Sequence, residues 1–143
     1  EACMPLFRAM GANVNYQGKA GCGQHAKLTN QIMIAGTLSG VCEAIAYARA
    51  KGLDLEVLLK SLSTGAAASR QLEACWAKIT ANDFQPSFFL KHFLKDLTLA
   101  SEEAAQSRLH LEVLAQVTED YGELARDGFG DMGTQALIKH YER

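Results

Sequence analysis

The sequence predicts an all-α fold, a compact bundle of about six helices around one long helix, with a short strand remnant at the N-terminus. Three observations predict it. Every sustained hydrophobic pattern after residue 20 repeats at helical rather than strand spacing. One of these patterns, from residue 24 to about 51, is far longer than the usual helix of a small domain. Finally, Asp54, Ser69 and Asp131 each stand just before such a pattern, where a helix N-cap belongs.

Taken in order, residues 5–10 read as the last turns of a helix, stopped by Gly11 in the glycine C′ role. Asn13-Val-Asn-Tyr16 alternates apolar and polar, enough for a short strand. Residues 18–23 form a glycine-rich loop that opens the long helix. Gly36 and Gly40 lie inside that helix, where each costs about 0.5–1 kcal/mol relative to alanine. Their i, i+4 spacing points to another helix crossing closely there. Gly52 ends the helix, and short helices follow over 55–62 and 70–80. Residues 82–86 turn, with Pro86 forcing Gln85 to extend. A helix then runs from 88 to about 107, another from 109 to 125, and a last one from 132 to about 142, after a turn at 127–130.

A chain of 143 residues fits one domain with a real core. Net charge is -2, and basic and acidic residues are well mixed, so the stripe that nucleic acids require is missing. Glu43, Arg49 and Lys51 interrupt the best apolar run before it reaches the roughly 18 residues of a membrane span. No signal-peptide pattern opens the chain. The cysteines Cys3, Cys22, Cys42 and Cys75 have neither CxxC pairing nor metal-ligand spacing. They read as reduced thiols of an intracellular protein, cytoplasmic or, in a eukaryote, of the mitochondrial matrix.

The chemistry concentrates at Gly21-Cys-Gly-Gln-His-Ala-Lys27-Leu-Thr-Asn30-Gln31. Gly21-x-Gly23-x-x-Ala26 imitates a dinucleotide fingerprint, but such a fingerprint opens a βαβ unit. Here the helix is too long and leads only to more helices, so that reading is rejected. Lys27, Asn30 and Gln31 fall at i, i+3 and i+4, on one helix face. The plain reading makes them solvated residues of a helix start, the cap of a non-enzymatic helical interaction module. The sharper reading uses the helix dipole, which attracts anions and disfavours a cation there. Lys27 would then exchange a proton, with Asn30 and Gln31 fixing substrate oxygens. Further on, Phe88, Phe89, Phe93, Leu94 and Leu97 read as core. His92 and Asp96 at i, i+4 read as a solvated pair.

Three motifs in order resemble the β-hydroxyacid dehydrogenase family, which includes 3-hydroxyisobutyrate dehydrogenase and tartronate semialdehyde reductase. They are Gly21-x-Gly-x-x-x-Lys-x-x-Asn-Gln31, the stretch Phe88-Phe-Leu-Lys-His-Phe-Leu-Lys95-Asp96-Leu, and Asp127-Gly-Phe-Gly130-Asp131. The match is to the family's C-terminal helical half, a bundle like the C-terminal domain of 6-phosphogluconate dehydrogenase. The resemblance implies that residues 1–18 are the end of a dinucleotide-binding domain and 19–143 a substrate and dimerisation domain. It implies a catalytic proton for Lys27, substrate positioning by Asn30 and Gln31, and a closing aromatic at Phe88. Lys95 and Asp96 match residues near the nicotinamide end of the cofactor. Many members have asparagine where Gln31 stands, so either amide of the pair is open as the substrate contact. NAD or NADP would be the cofactor, held mainly by the absent half, and a small carboxylate the substrate. A homodimer or tetramer through the long helix would be the assembly, and the stretch by itself would be catalytically silent.

Overall fold

Residues 2–142 are described by a computed structural model, so positions 1 and 143 of the two expected segments lie outside the described residues. Among the described residues seven α-helices follow one another: α1 (Met4–Met10), α2 (Cys22–Ala50), α3 (Leu55–Leu62), α4 (Arg70–Thr80), α5 (Leu90–Gln106), α6 (Glu112–Leu124) and α7 (Ile138–Tyr141). A π-helical turn, Ala125–Phe129, extends α6, and a 3-10 turn, Thr134–Leu137, leads into α7.

The axis of the bundle is α2, which touches α3, α4, α5, α6, α7 and the 3-10 turn. Its buried Ala35, Leu38, Val41, Cys42, Ile45 and Ala48 recur every three or four residues. They meet Trp76 and Ile79 of α4, Phe93 and Leu97 of α5, and Val117, Tyr121 and Leu124 of α6 in one continuous core. By length and composition α2 is apolar enough to cross a membrane, with a mean hydropathy of 1.2, in spite of the charges expected to interrupt it. Its place in the bundle gives another reason for that composition. A helix with neighbours on several sides covers more than a stripe of its surface.

Two caps form as the sequence predicts. The Asp54 carboxylate accepts from the N–H groups of Glu56 and Val57 at 2.9 and 3.1 Å, and Ser69 Oγ accepts from the Leu72 N–H at 3.1 Å. Other expectations are corrected. Residues 13–16 form no strand: they are exposed, and the described residues hold no neighbouring strand to satisfy their backbone. Gly11 is extended, with φ of -168°, and not in the left-handed C′ conformation. Arg108 is left-handed, with φ of 56°, and the Leu109 N–H closes back onto the Ala104 carbonyl at 2.9 Å. That closure ends α5 and delays α6 to Glu112. The last helix is short, because residues 130–133 are drawn into another role described below. Only one of the two helix glycines sits under a crossing helix. A Cβ at Gly36 would lie 3.5 Å from Val113 of α6, whereas a Cβ at Gly40 would meet nothing within 4 Å.

Candidate active site

The first motif builds the start of α2. Gly21 sits in the left-handed region, with φ of 93°, which a residue with a Cβ rarely adopts. Its carbonyl accepts from the N–H groups of Gln24 and His25 at 3.0 and 3.2 Å, and the Cys22 N–H donates to the Lys19 carbonyl at 3.0 Å. Most of the helix-start donors are therefore already engaged. Because α2 begins at Cys22, two residues before the expected start, Lys27 lies beyond the first turn, to which the dipole's influence is confined. The surroundings of Lys27 are set by side chains from another helix.

That helix is α5, and the third motif serves to start it. Phe89 stands at its N-cap and has no side-chain acceptor to offer. Instead the Leu90 N–H donates to the Met132 carbonyl at 2.8 Å, and the Lys91 N–H to the Gly130 carbonyl at 3.0 Å. The return chain is held by Gly133 N–H on the Phe84 carbonyl at 2.9 Å and Thr134 N–H on the Phe88 carbonyl at 3.2 Å. Gly128, with φ of 90°, makes the bend that brings it there. Asp131, expected to cap a helix, pairs with Lys91 at 2.5 Å. The Lys91 hydrogen bond and charge hold its carboxyl below the usual aspartate range. Gln135, buried, donates to the carbonyls of Asp83 and Gln85 at 3.0 and 3.2 Å and locks the whole junction.

With α2 and α5 packed together, Asp96 becomes the hub. Its carboxylate accepts from Gln31 Nε2 at 2.8 Å and pairs with Lys95 Nζ at 2.6 Å, and Lys27 Nζ stands 3.9 Å away. Asn30 Nδ2 donates to Gln31 Oε1 at 3.0 Å, completing a chain from Asn30 through Gln31 to Asp96. Burial alone would raise the Asp96 carboxyl. The hydrogen bonds from Lys95 and Gln31, with the charges of Lys95 and Lys27, outweigh it and hold the group below its ordinary value. The Asp96 side chain is 13% exposed, so it is no solvated partner of His92.

Lys27, Lys95 and Asp96 line an open cleft of about 450 Å³, closed on one side by Phe88. Lys27 and Lys95 are both more than half exposed, so their ammonium groups reach its solvent side. The expected residues thus divide. Lys27, Phe88, Lys95 and Asp96 share the cleft. Gln31 is buried behind it, and Asn30 is exposed and linked to it through Gln31. Gln24, Leu28, His92 and Leu99 also line the cleft, unanticipated. Their signal was present: 24, 27, 28 and 31 fall on one face of α2, and 92, 95, 96 and 99 on one face of α5. The rings of Phe88 and Phe89 pack on His92 at 6.5 and 5.6 Å.

The chain as a whole has known relatives. A family described as NAD-binding of NADP-dependent 3-hydroxyisobutyrate dehydrogenase matches residues 21–141. The chain belongs to that family. NAD(P) is accordingly the cofactor of the dehydrogenases to which it is related, and two exposed ammonium groups at the cleft are a donor set that fits such a group.

Over 139 residues the chain is 45% identical to the uncharacterized oxidoreductase YkwC of Bacillus subtilis, an alignment covering 97% of this chain and 48% of that protein. It is 44% identical over 139 residues to the probable 3-hydroxyisobutyrate dehydrogenase-like 1, mitochondrial, of Arabidopsis thaliana, covering 97% and 41%. It is 32% identical over 142 residues to the 2-hydroxy-3-oxopropionate reductase of Escherichia coli, covering 99% and 49%. The chain spans about half the length of the curated relatives it matches. Among solved structures, a 3-hydroxyisobutyrate dehydrogenase of Salmonella typhimurium superposes with a TM-score of 0.90 at 24% identity, over 96% of this chain and 48% of that one. That of Mycobacterium tuberculosis, with L-serine, gives 0.91 at 23% identity, over 99% and 51%. These two likenesses establish the shared helical fold.

Proposed function

We propose that this chain is the C-terminal substrate and dimerisation half of an NAD(P)-dependent oxidoreductase that interconverts a small β-hydroxy acid and its semialdehyde. The observation that carries the reading is the Asp96 hub: one nearly buried carboxylate, anchored by Gln31, with the ammonium groups of Lys27 and Lys95 beside it at an open cleft. A solvated helix start would not bury Gln31 and tie it to another helix. Residues 1–18 belong, in this reading, to the end of the dinucleotide-binding half, and the 143-residue stretch alone is silent because that half holds most of the cofactor.

When bound, NAD(P)H would be the source of the hydride for the aldehyde carbon. Lys27 gives the proton that the carbonyl oxygen then needs, and takes it back from the hydroxyl in the oxidative direction. Asp96 is a positioning residue. Its fixed charge draws the Lys27 ammonium toward the cleft, and Gln31 holds that charge in place. Exposed Asn30, and not buried Gln31, is the amide of the pair left available to a substrate oxygen. Lys95 would help hold the cofactor at its nicotinamide end, and Phe88 covers the cleft against water.

In the full-length enzyme, Lys27→Ala lowers turnover by about 10²–10⁴ with cofactor affinity largely retained. Turnover equal to the wild type in a semialdehyde reduction assay overturns the assignment. The exposed Met33, Gly40, Ala44 and Tyr47 give α2 an uncharged outer stripe for a second copy, supporting a homodimer or tetramer. A monomeric mass by light scattering at micromolar concentration counts against it.

A further inference from the structure

The Phe88 ring, which closes one side of the cleft, is held by two different devices. The first is local. Phe89 is the N-cap of α5, so Phe88 and Phe93 stand at the N′ and N4 positions of a hydrophobic staple. Their rings meet edge-on, with centroids 6.0 Å apart. Phe93 is fully buried and stands edge-on in turn to buried Tyr121 at 5.2 Å, so this side of the grip belongs to the core. The second device is His92. A staple asks nothing of the residue at N3, yet the exposed imidazole there lies tilted on Phe88 at 6.5 Å and edge-on to Phe89 at 5.6 Å. Phe89 is itself anchored, because Lys91 Nζ lies 5.4 Å from its ring centre and pairs with Asp131. His92 also lines the cleft.

Ring pairs at these separations, tilted or edge-on, attract one another beyond the area they bury. Phe88 is 39% exposed, and a surface ring with one contact at the core is free to turn outward. A second ring contact removes that freedom. We propose that His92 is a positioning residue of the active site, holding the Phe88 ring in place as the wall of the cleft. The inference rests on the oxidoreductase reading above and adds a residue to it. His92 acts through Phe88: the imidazole packs on the ring, and the ring is what a bound aldehyde acid meets. The proton stays with Lys27. Without His92 the ring leaves its place part of the time, and the substrate loses a contact made before and during the reaction alike. Such a loss falls on KM more than on kcat.

The test is a double-mutant cycle in the full-length enzyme, with malonic and succinic semialdehyde as probes and NADH or NADPH as reductant. His92→Leu lowers kcat/KM by about two- to tenfold, the worth of one aromatic pair, chiefly through the KM for the aldehyde. In a Phe88→Leu background the same change has no further effect, because the ring it acts on is gone. His92→Phe, which restores a ring, regains most of the loss, as a merely structural role would not require. Should His92→Leu fail to fold, His92→Gln carries the same comparison. An equal fall in both backgrounds, or no fall at all, overturns the positioning role and leaves the oxidoreductase reading standing. Absence of any aldehyde-acid reduction by the wild type overturns both.

Discussion

Replacing Asp96 by alanine takes one carboxylate away from three groups at once. Gln31 is 2% exposed, so its amide donor loses its 2.8 Å partner in a place water does not reach. A buried donor left unsatisfied costs about 1–3 kcal/mol. Lys95 and Lys27 lose their counter-charge too, but both are more than half exposed, and screening leaves little of that term. For 143 residues the unfolding entropy is about 0.3 kcal/mol per kelvin, so the variant unfolds about 3–10 °C lower near neutral pH. The loss also depends on pH. The folded carboxyl lies below its ordinary value, so its stabilisation is present above the unfolded value, about 3.9, and disappears as pH falls through the lower folded value. Thermal unfolding by circular dichroism at pH 7, 5 and 3 reads both effects. A wild-type minus variant gap below about 0.5 kcal/mol, or one that stays constant from pH 7 to 3, would refute the hub.

Other perturbations separate structure from chemistry. Lys27→Ala shifts the unfolding midpoint little, since its 3.9 Å pair is half exposed, so its effect on turnover is not a folding effect. Gly133→Ala drives a Cβ into the side-chain amide of Gln135; displacing that buried amide from the Asp83 and Gln85 carbonyls costs about 1–3 kcal/mol by urea denaturation. Gly40→Ala gains about 0.5–1 kcal/mol in the monomer, where its Cβ meets nothing, and the same change weakens dimerisation in light scattering if a second α2 crosses there. A thiol reagent labels exposed Cys3 at once. Cys42 and Cys75, whose thiols burial pushes up, react only on unfolding.

Local chemistry made much of this legible. Helical spacing marked α2 to α6, and Asp54 and Ser69 marked two helix starts, because both signals act within a few residues of chain. The same locality explains the failures. Residues 13–16 carry a strand's alternation, but a strand exists only by pairing. Asp131 has the chemistry of a cap, but Lys91 lies within reach and a salt bridge replaces the cap. Spacing put Lys27, Asn30 and Gln31 on one face of a helix and could go no further.

By itself the sequence determined the all-helical class, the long central helix and the three motifs that mark a dehydrogenase family. Only the tertiary structure decided what the motifs do to one another. Packing α5 on α2 brings Asp96 to Gln31, 65 residues apart in sequence, and so turns Gln31 inward and leaves Asn30 outside. The return of residues 130–134 supplies the carbonyls that α5 lacks at its start. Hydrogen bonds and charges act over a few ångströms, and which groups come that close is settled by packing, not by position in the chain.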